Sequence, residues 1–341
     1  MQTAKTILAI PETEPERLFS RERIKPLLVE LASIWHPDHC KDKDANAVMA
    51  HINLLYQAAL KKDKDDTWEE PDTLYVTLAG SEKRFHYIKR HDFDIGRVHI
   101  GHKYVVYTFA KGWEDAADNF VKAVKAVKIP KGKQKMALRL PQNMTLMKSK
   151  GLPAIRIDKT PDLLNLSDVN DHYKGKIPTE HIAWITSELM NMSCLLEHCE
   201  VAHSGIEMLD CFISPEFHSV ALLGGWWYSK AFGQKMNLIT GRTVDAVPER
   251  IIKPGKDYIG AAKTDRYLIR RLACELRGDP TGVSFIRDKS TPQPIEQWLN
   301  MPVTNTAVQD FSAWYAALEK SFGKRRFSEL KLNADDIYKE K

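Results

Sequence analysis

Three groups of residues in this chain have the types and spacing that chemistry requires. His36-Pro37-Asp38 sets an imidazole and a carboxylate on either side of a proline. The ring fixes the backbone, so both side chains can make charge-assisted contacts at low ordering cost. Cys194, His198, Cys199 and His203 form two i,i+4 pairs with Cys211 nearby, a set of zinc-ligand types. The two pairs are offset by five residues and point about 140° apart on one straight helix, so no metal site is expected. Lys122, Lys125, Lys128, Lys131, Lys133 and Lys135 form the third group. Such a run is either a solvated helix face or a docking patch for an acidic protein or a nucleic-acid backbone. Few aromatic residues interleave it, which speaks against base stacking, and nucleic acid is not the favoured partner.

The elements that hold these groups differ along the chain. Ile24, Leu27, Leu28, Leu31 and Ile34 fall at helical spacing, with Ser20 as the expected N-cap and Pro37 as the stop. Val48, Met49, Ile52, Leu55 and Tyr56 define a second helix after a loop spanning 38–44. The two helices form a hairpin with His36-Pro37-Asp38 at its tip. Residues 63–72 read as a charged linker closed by Pro71. Then the period changes. The stretches 74–78, 85–88, 97–100 and 104–109 are β-branched and aromatic and bounded by turns, which predicts an antiparallel sheet. Residues 114–129 read as a helix burying Phe120, Val121, Val124 and Val127, and the chain beyond Asp162 is mainly helical. A final helix is expected over 311–330, with a flexible tail at 331–341.

Composition agrees with a folded, multidomain α+β protein: 341 residues, 43% apolar and 28% charged. Five cysteines exclude a disulfide scaffold, and no apolar run is long enough for a membrane span. With no visible export signal, a cytoplasmic location is expected. The net charge of +5 is unevenly placed. Residues 1–66 carry 10 basic and 11 acidic side chains, residues 67–160 carry 18 and 10, and residues 161–341 carry 22 and 24. The excess therefore sits on the predicted sheet and its helix.

Two families come into view from these residues. Ile7-Leu-Ala-Ile10, Ile24-Lys25, Leu31 through Asp38, Ile52-Asn53 and Tyr56 resemble a J domain over residues 1–62. The resemblance implies docking on an Hsp70-type chaperone through His36, Pro37 and Asp38, steered by a basic face of Arg21, Arg23 and Lys25. Val29, Glu30 and Pro26 depart from the family's usual basic helix.

Residues 73–330 resemble a bilobal protein kinase, with a small lobe at 73–160 and a larger helical lobe at 161–330. The run 195–206, then Asp210-Cys-Phe-Ile213, then 219–226 is similar to a catalytic loop and the metal-binding strand after it. Residues 264–280 are similar to the buried helix of the large lobe, with Asp265 as its structural aspartate. The residues that phosphoryl transfer needs are missing. Gly205 stands where the catalytic aspartate belongs, beside His203, and Gly224 or Gly225 stands where the metal-binding aspartate belongs. Thr108 takes the place of the phosphate-binding lysine, and Phe120–Val127 offers no glutamate. Gly96 and Gly101 are all that is left of a glycine-rich loop. Asp210 alone remains able to hold Mg²⁺. The resemblance implies a pseudokinase.

These readings lead to a non-catalytic co-chaperone or adaptor that recruits an Hsp70-type chaperone and binds a client or partner complex. No cofactor is required, although residual Mg-ATP binding stays open. The alternatives are an atypical kinase-like enzyme or nucleotide switch built around Asp210, and a nucleic-acid-associated scaffold using the lysine run.

Overall fold

The computed structural model describes residues 3–281, 290–324 and 328–339. The chain divides into two compact units, one ending at Leu74 and the other beginning at Tyr75.

The first unit is helical. A short helix α1 (Ala4–Leu8) is held by a capping box between Thr3 and Thr6. Helix α2 (Ile24–Trp35) starts later than Ser20 predicts, because a tight turn at Arg21–Arg23 intervenes and the Ser20 hydroxyl makes no capping bond. Pro26 consequently lies in the first turn, where its missing N–H removes no helical bond. The helix ends at His36, whose ψ of 131° is the extended conformation a residue before proline adopts. Helix α3 (Ala45–Lys64) buries Val48, Ile52, Leu55 and Ala59 against Ile7, Phe19, Ile24 and Trp35, and it packs on α2.

The expected linker is part of this unit. Lys64 is still helical, Asp63 and Asp66 each accept from Arg21 at 2.8 Å, Arg17 pairs with Asp72, and Trp68 packs on the core. Charge alone suggests solvation, but here the acids find arginines of the same unit.

The second unit is a mixed α/β structure. Strands β1 (Thr73–Leu78), β2 (Ser81–His86), β3 (Lys89–Phe93), β4 (Gly96–Ile100) and β5 (Tyr104–Phe109) precede helix α4 (Ala116–Ala126). Strands β6 (Gln142–Ser149) and β7 (Leu152–Asp158) follow, and the seven form one curled sheet in the order β2-β1-β6-β7-β5-β4-β3. Sequence periodicity predicts four of these strands at most. β2 is exposed along nearly its whole length, β3 is charged, and β7 contains Pro153, so the alternation that reveals a half-buried strand is absent. Phe120 and Val124 of α4 bury against the inner face carrying Val105, Tyr107 and Phe109.

A helical region follows. It contains β8 (Leu164–Asn165), α5 (Leu166–His172), α6 (Thr179–His198), β9 (Val201–Ala202), β10 (Cys211–Ser214), β11 (Ser219–Leu222) and β12 (Lys230–Ala231). Strands β11, β10 and β8 form a small sheet, and β12 pairs with β9. Then come α7 (Gly241–Ala246), α8 (Glu249–Ile252), α9 (Thr264–Leu276), α10 (Gln293–Asn300), α11 (Ala307–Phe322) and α12 (Ala334–Tyr338). Helices α6, α9 and α11 share a buried ion network in which Asp310 takes Arg266 and Arg270 while Glu197 takes Arg266.

The final helix stops at Gly323, whose φ of 70° ends it eight residues before the expected boundary at 330; residues 325–327 of that stretch lie outside the described residues, as do 282–289 of the predicted large lobe. The expected flexible tail is folded through residue 339. Leu330 is buried, Asn333 caps α12, and the Tyr338 hydroxyl accepts the Asn165 N–H at 3.1 Å. Among the described residues no helix is long and apolar enough to cross a membrane.

Candidate functional site

In the first unit, the α2–α3 loop carries His36 and Asp38 with side chains 47% and 78% exposed. The Asp38 N–H donates to His36 Nδ1 at 3.3 Å, and the carboxylate lies 3.5 Å from the same nitrogen. The loop thus presents an imidazole and a carboxylate as one exposed pair. The expected basic face is largely spent inside the unit. Arg21 is bound by Asp63 and Asp66, hydrogen bonds that push its guanidinium pKa further up, and Arg23 pairs with Glu30. Val29 is 70% exposed on the same helix, leaving Lys25 as the unpaired cation of the three.

In the second unit, the segment from β9 to β10 is held by residues brought from distant parts of the chain. Asp265, buried in α9, accepts the N–H of His203 at 2.9 Å and that of Ser204 at 2.7 Å. Burial pushes its carboxyl up to about 6, against the pull of these two amides. His203 is fully buried, and the loss of hydration pushes its pKa down to about 3. Its neutral ring donates from Nε2 to the Gly224 carbonyl at 3.0 Å, which leaves Nδ1 to accept the Gly205 N–H at 3.3 Å. Arg242 adds a bond to the Ile206 carbonyl at 2.7 Å while clamped by Glu275, and the Thr243 hydroxyl reaches the Ser204 carbonyl. The loop therefore has its geometry fixed by Asp265, His203, Arg242 and Thr243.

The reactive positions are closed. Thr108, expected at the phosphate-lysine position, faces away from the interior and donates to the Arg97 carbonyl. A strand alternates its faces, so the inward position is Tyr107, which is 1% exposed. A Cβ on Gly224 would collide with Asp210 Oδ1 and stand 2.5 Å from the Tyr107 hydroxyl. On Gly225, at φ +75°, it would meet His203 at 2.5 Å and Asp210 Oδ2 at 2.9 Å. On Gly205 it would run into the Tyr228 ring. Gly96 admits no side chain beside the Thr108 carbonyl, and Gly101 is covered by the Tyr104 ring.

Above these glycines lies a cluster of rings that residue patterning did not assemble. Trp227 stacks on Phe93 of β3 at 4.9 Å and 22°. It also packs edge-on against Tyr107 and Phe109 of β5, at 5.0 and 5.4 Å, and lies 5.9 Å from Phe120 of α4. Phe120 occupies the inner face of α4, where the resemblance would require a glutamate. Trp227 is visible in sequence as part of an aromatic cluster, but its partners come from three other elements.

Asp210 sits beneath the rings, 2% exposed. Burial first, and the nearby Glu207 second, push its carboxyl well above the usual range, while Arg242 pulls the other way. Burial and Asp210 likewise push the Tyr107 hydroxyl up. Among the described residues Asp210 Oδ2, Tyr107 Oη and Trp227 Nε1 have no hydrogen-bond partner. A carboxyl whose ionised form is disfavoured, with a phenol and rings around it, does not fit Mg²⁺ and a triphosphate. Those need ionised oxygens and a cation.

Two further contacts brace the edge of this region. His91 Nε2 of β3 lies 2.9 Å from Asp168 Oδ1 of α5. Lys159, after β7, is buried, donates to the carbonyls of His102 and Leu163 at 2.9 and 3.0 Å, and is pushed by burial down to about 8. The zinc-type residues do not converge, since His203 faces Gly224 while Cys199 bonds the Lys128 backbone. The lysine run begins on α4 with Lys122 and Lys125, continues through Lys128, Lys131 and Lys133, and ends with Lys135 in a 3₁₀ turn over Gln134–Arg139. All six are exposed.

No protein-family model and no curated protein matches the chain. Among solved structures, the crystal structure of a kinase domain is similar to it, with 13% identity and a TM-score of 0.41. The similarity covers 55% of this chain and 61% of that kinase domain, less than two thirds of its length.

Proposed function

We propose that the chain is a non-catalytic co-chaperone adaptor. Its first unit acts as a J domain that docks an Hsp70-type chaperone through His36, Pro37 and Asp38. Its second unit is a kinase-like domain without phosphoryl transfer that holds a protein client or partner. The observation that carries the inert half of this reading is the inward Tyr107 beneath Trp227: an uncharged ring stands where a cation would have to meet phosphate. Catalysis of phosphoryl transfer is nearly all positioning and charge stabilisation, and glycines and a tyrosine stand here where the resemblance needs charged side chains, beside a loop held by Asp265 and His203. The docking half is supported by the exposed His36–Asp38 pair at the end of α2.

The test is steady-state ATPase stimulation of an Hsp70-type chaperone by the full chain. Stimulation lost in His36→Gln, with the melting temperature unchanged, is the expected result. Equal stimulation by both proteins refutes the docking role. Incubation with Mg-ATP should leave the melting temperature where it was, because a ligand that binds only the native state must raise it.

A further inference from the structure

We infer that the partner face of the second unit is the basic ledge formed by the end of α4 and the turn at Gln134–Arg139, and that it takes an acidic protein segment bearing an apolar side chain. This deepens the adaptor reading and rests on it for the premise that the unit binds a protein.

Four observations lead there. First, the six lysines carry no carboxylate partner among the described residues, whereas the next basic residue, Arg139, is paired with Glu188. Cations elsewhere, such as Arg21, Arg23 and Arg242, are also paired. Second, stabilisation of a helix C-terminus accounts for Lys125 and Lys128 at most, because Lys131, Lys133 and Lys135 lie beyond the helix. The acids of this region, Glu114, Asp115 and Asp118, stand at the opposite end of α4.

Third, the ledge is rigid. Cys199 Sγ accepts the Lys128 N–H at 3.3 Å and approaches its carbonyl at 3.4 Å. The Gln142 amide donates to the carbonyls of Ala137 and Leu140 at 2.6 and 3.0 Å, and Leu140 is buried. Little backbone ordering is left for a partner to impose. Fourth, Leu138 is 72% exposed three residues after Lys135. A nucleic-acid backbone gains nothing from an exposed leucine, whereas an acidic segment with an apolar side chain satisfies both features. Uncompensated positive charge and a protruding leucine on one pinned turn together specify the partner's chemistry.

The experiment uses the full chain and three fluorescent probes: a Glu-rich peptide with leucines at helical spacing, its leucine-free counterpart, and a short DNA duplex. The leucine-bearing peptide should bind most tightly at low salt. The combined variant Lys125→Glu, Lys128→Glu, Lys131→Glu and Lys133→Glu should weaken it about tenfold or more. Leu138→Ser should reduce it to the level of the leucine-free peptide and leave that peptide's binding unchanged. Among the described residues these side chains make no ion pairs, so melting temperatures should fall only by the effect of the charge change at the C-terminal end of α4, and Lys→Ser replacements at the same four positions give the same sign with less repulsion. Failure of both peptides to bind, binding indifferent to the lysine variants, or tighter binding of the duplex overturns the inference; the last would assign the ledge to a nucleic-acid backbone. His36→Gln, measured in parallel, must leave peptide binding intact, so a failed J-domain role and a failed ledge are told apart.

Discussion

An aspartate introduced at Gly224 should damage this protein. In Gly224→Asp the new Cβ overlaps Asp210 Oδ1 and lies 2.5 Å from the Tyr107 hydroxyl, both buried atoms held in a packed region. Overpacking a core position costs about 1–3 kcal/mol. The new carboxyl would also be buried beside Asp210, whose own ionised form is already disfavoured, and a buried polar group without a partner adds about 1–3 kcal/mol. A loss of about 2–6 kcal/mol follows. Gly241→Asp is the comparator: Gly241 has open space around it and opens α7 behind the Thr240 cap, where a negative charge is tolerated or mildly favourable. It should change stability by about 0.5 kcal/mol or less. Urea denaturation followed by tryptophan fluorescence reads both, since Trp226 and Trp227 are buried. If Gly224→Asp matched the parent in stability and gained a rise in melting temperature with Mg-ATP, the filled cleft would be a latent nucleotide site and the reasoning from Tyr107 and Trp227 would fall.

Two other outcomes follow from the same region. Tyr107→Phe removes a buried hydroxyl that has no partner, so it should be neutral or stabilising by about 1 kcal/mol; a loss above 2 kcal/mol in a melting experiment would mean that the hydroxyl is bonded. Asp265 has a folded pKa of about 6 against an ordinary 3.8, so between these values the folded state holds more protons than the unfolded state. Its contribution to stability is therefore largest below pH 3.8 and falls by up to about 3 kcal/mol as pH rises through 6. Asp265→Asn should remove that slope from the stability–pH curve while costing about 1–3 kcal/mol at pH 4, because its amide NH₂ cannot accept one of the two N–H groups. A wild-type slope of the opposite sign relative to the variant would reject the assignment.

How much of this was legible in the sequence depends on whether a feature is local. The α2–α3 loop was legible through helical spacing on both sides of a proline, whereas Asp265 was singled out only by the resemblance of residues 264–280 to a kinase helix. Thr108, the position the resemblance singles out, is one residue from the inward Tyr107 of β5. That single step reverses the face of the strand, and only the pairing of β5 with β4 and β7 shows that Tyr107 points inward. The exposed β2 and the Pro153-bearing β7 carry no alternation from which to read them. The segment at 63–72 was misjudged for a different reason, because a run of acids reads as solvated until the arginines that bind it are located.

The retained and lost residues of the second unit divide by what they touch. Asp265, His203 and Arg242 bond backbone groups of the 203–206 loop, so losing any of them would orphan buried donors or acceptors and cost stability. A side chain at Gly205 would meet the Tyr228 ring, and one at Gly224 would meet Asp210 and Tyr107, so the glycines leave that space to their neighbours. Rings can then close in: Tyr107, Phe120 and Trp227 fill the space with apolar contact, which stabilises the fold in proportion to the area removed from water. Asp210 is the exception, since it faces the rings and keeps an unpartnered oxygen. Its main-chain carbonyl accepts the N–H groups of Leu223 and Gly224 at 2.9 and 3.1 Å, a role that any residue can fill. Asp210→Asn should therefore keep the fold and lower the cost of burying a titratable group. A rise in stability at pH 8 relative to pH 5, compared with the parent, is the expected mark of that exchange, because the raised pKa of Asp210 penalises the parent increasingly as pH rises. An unchanged difference between the two pH values would mean that Asp210 does not change protonation in the fold between them, and would reject this account of its burial.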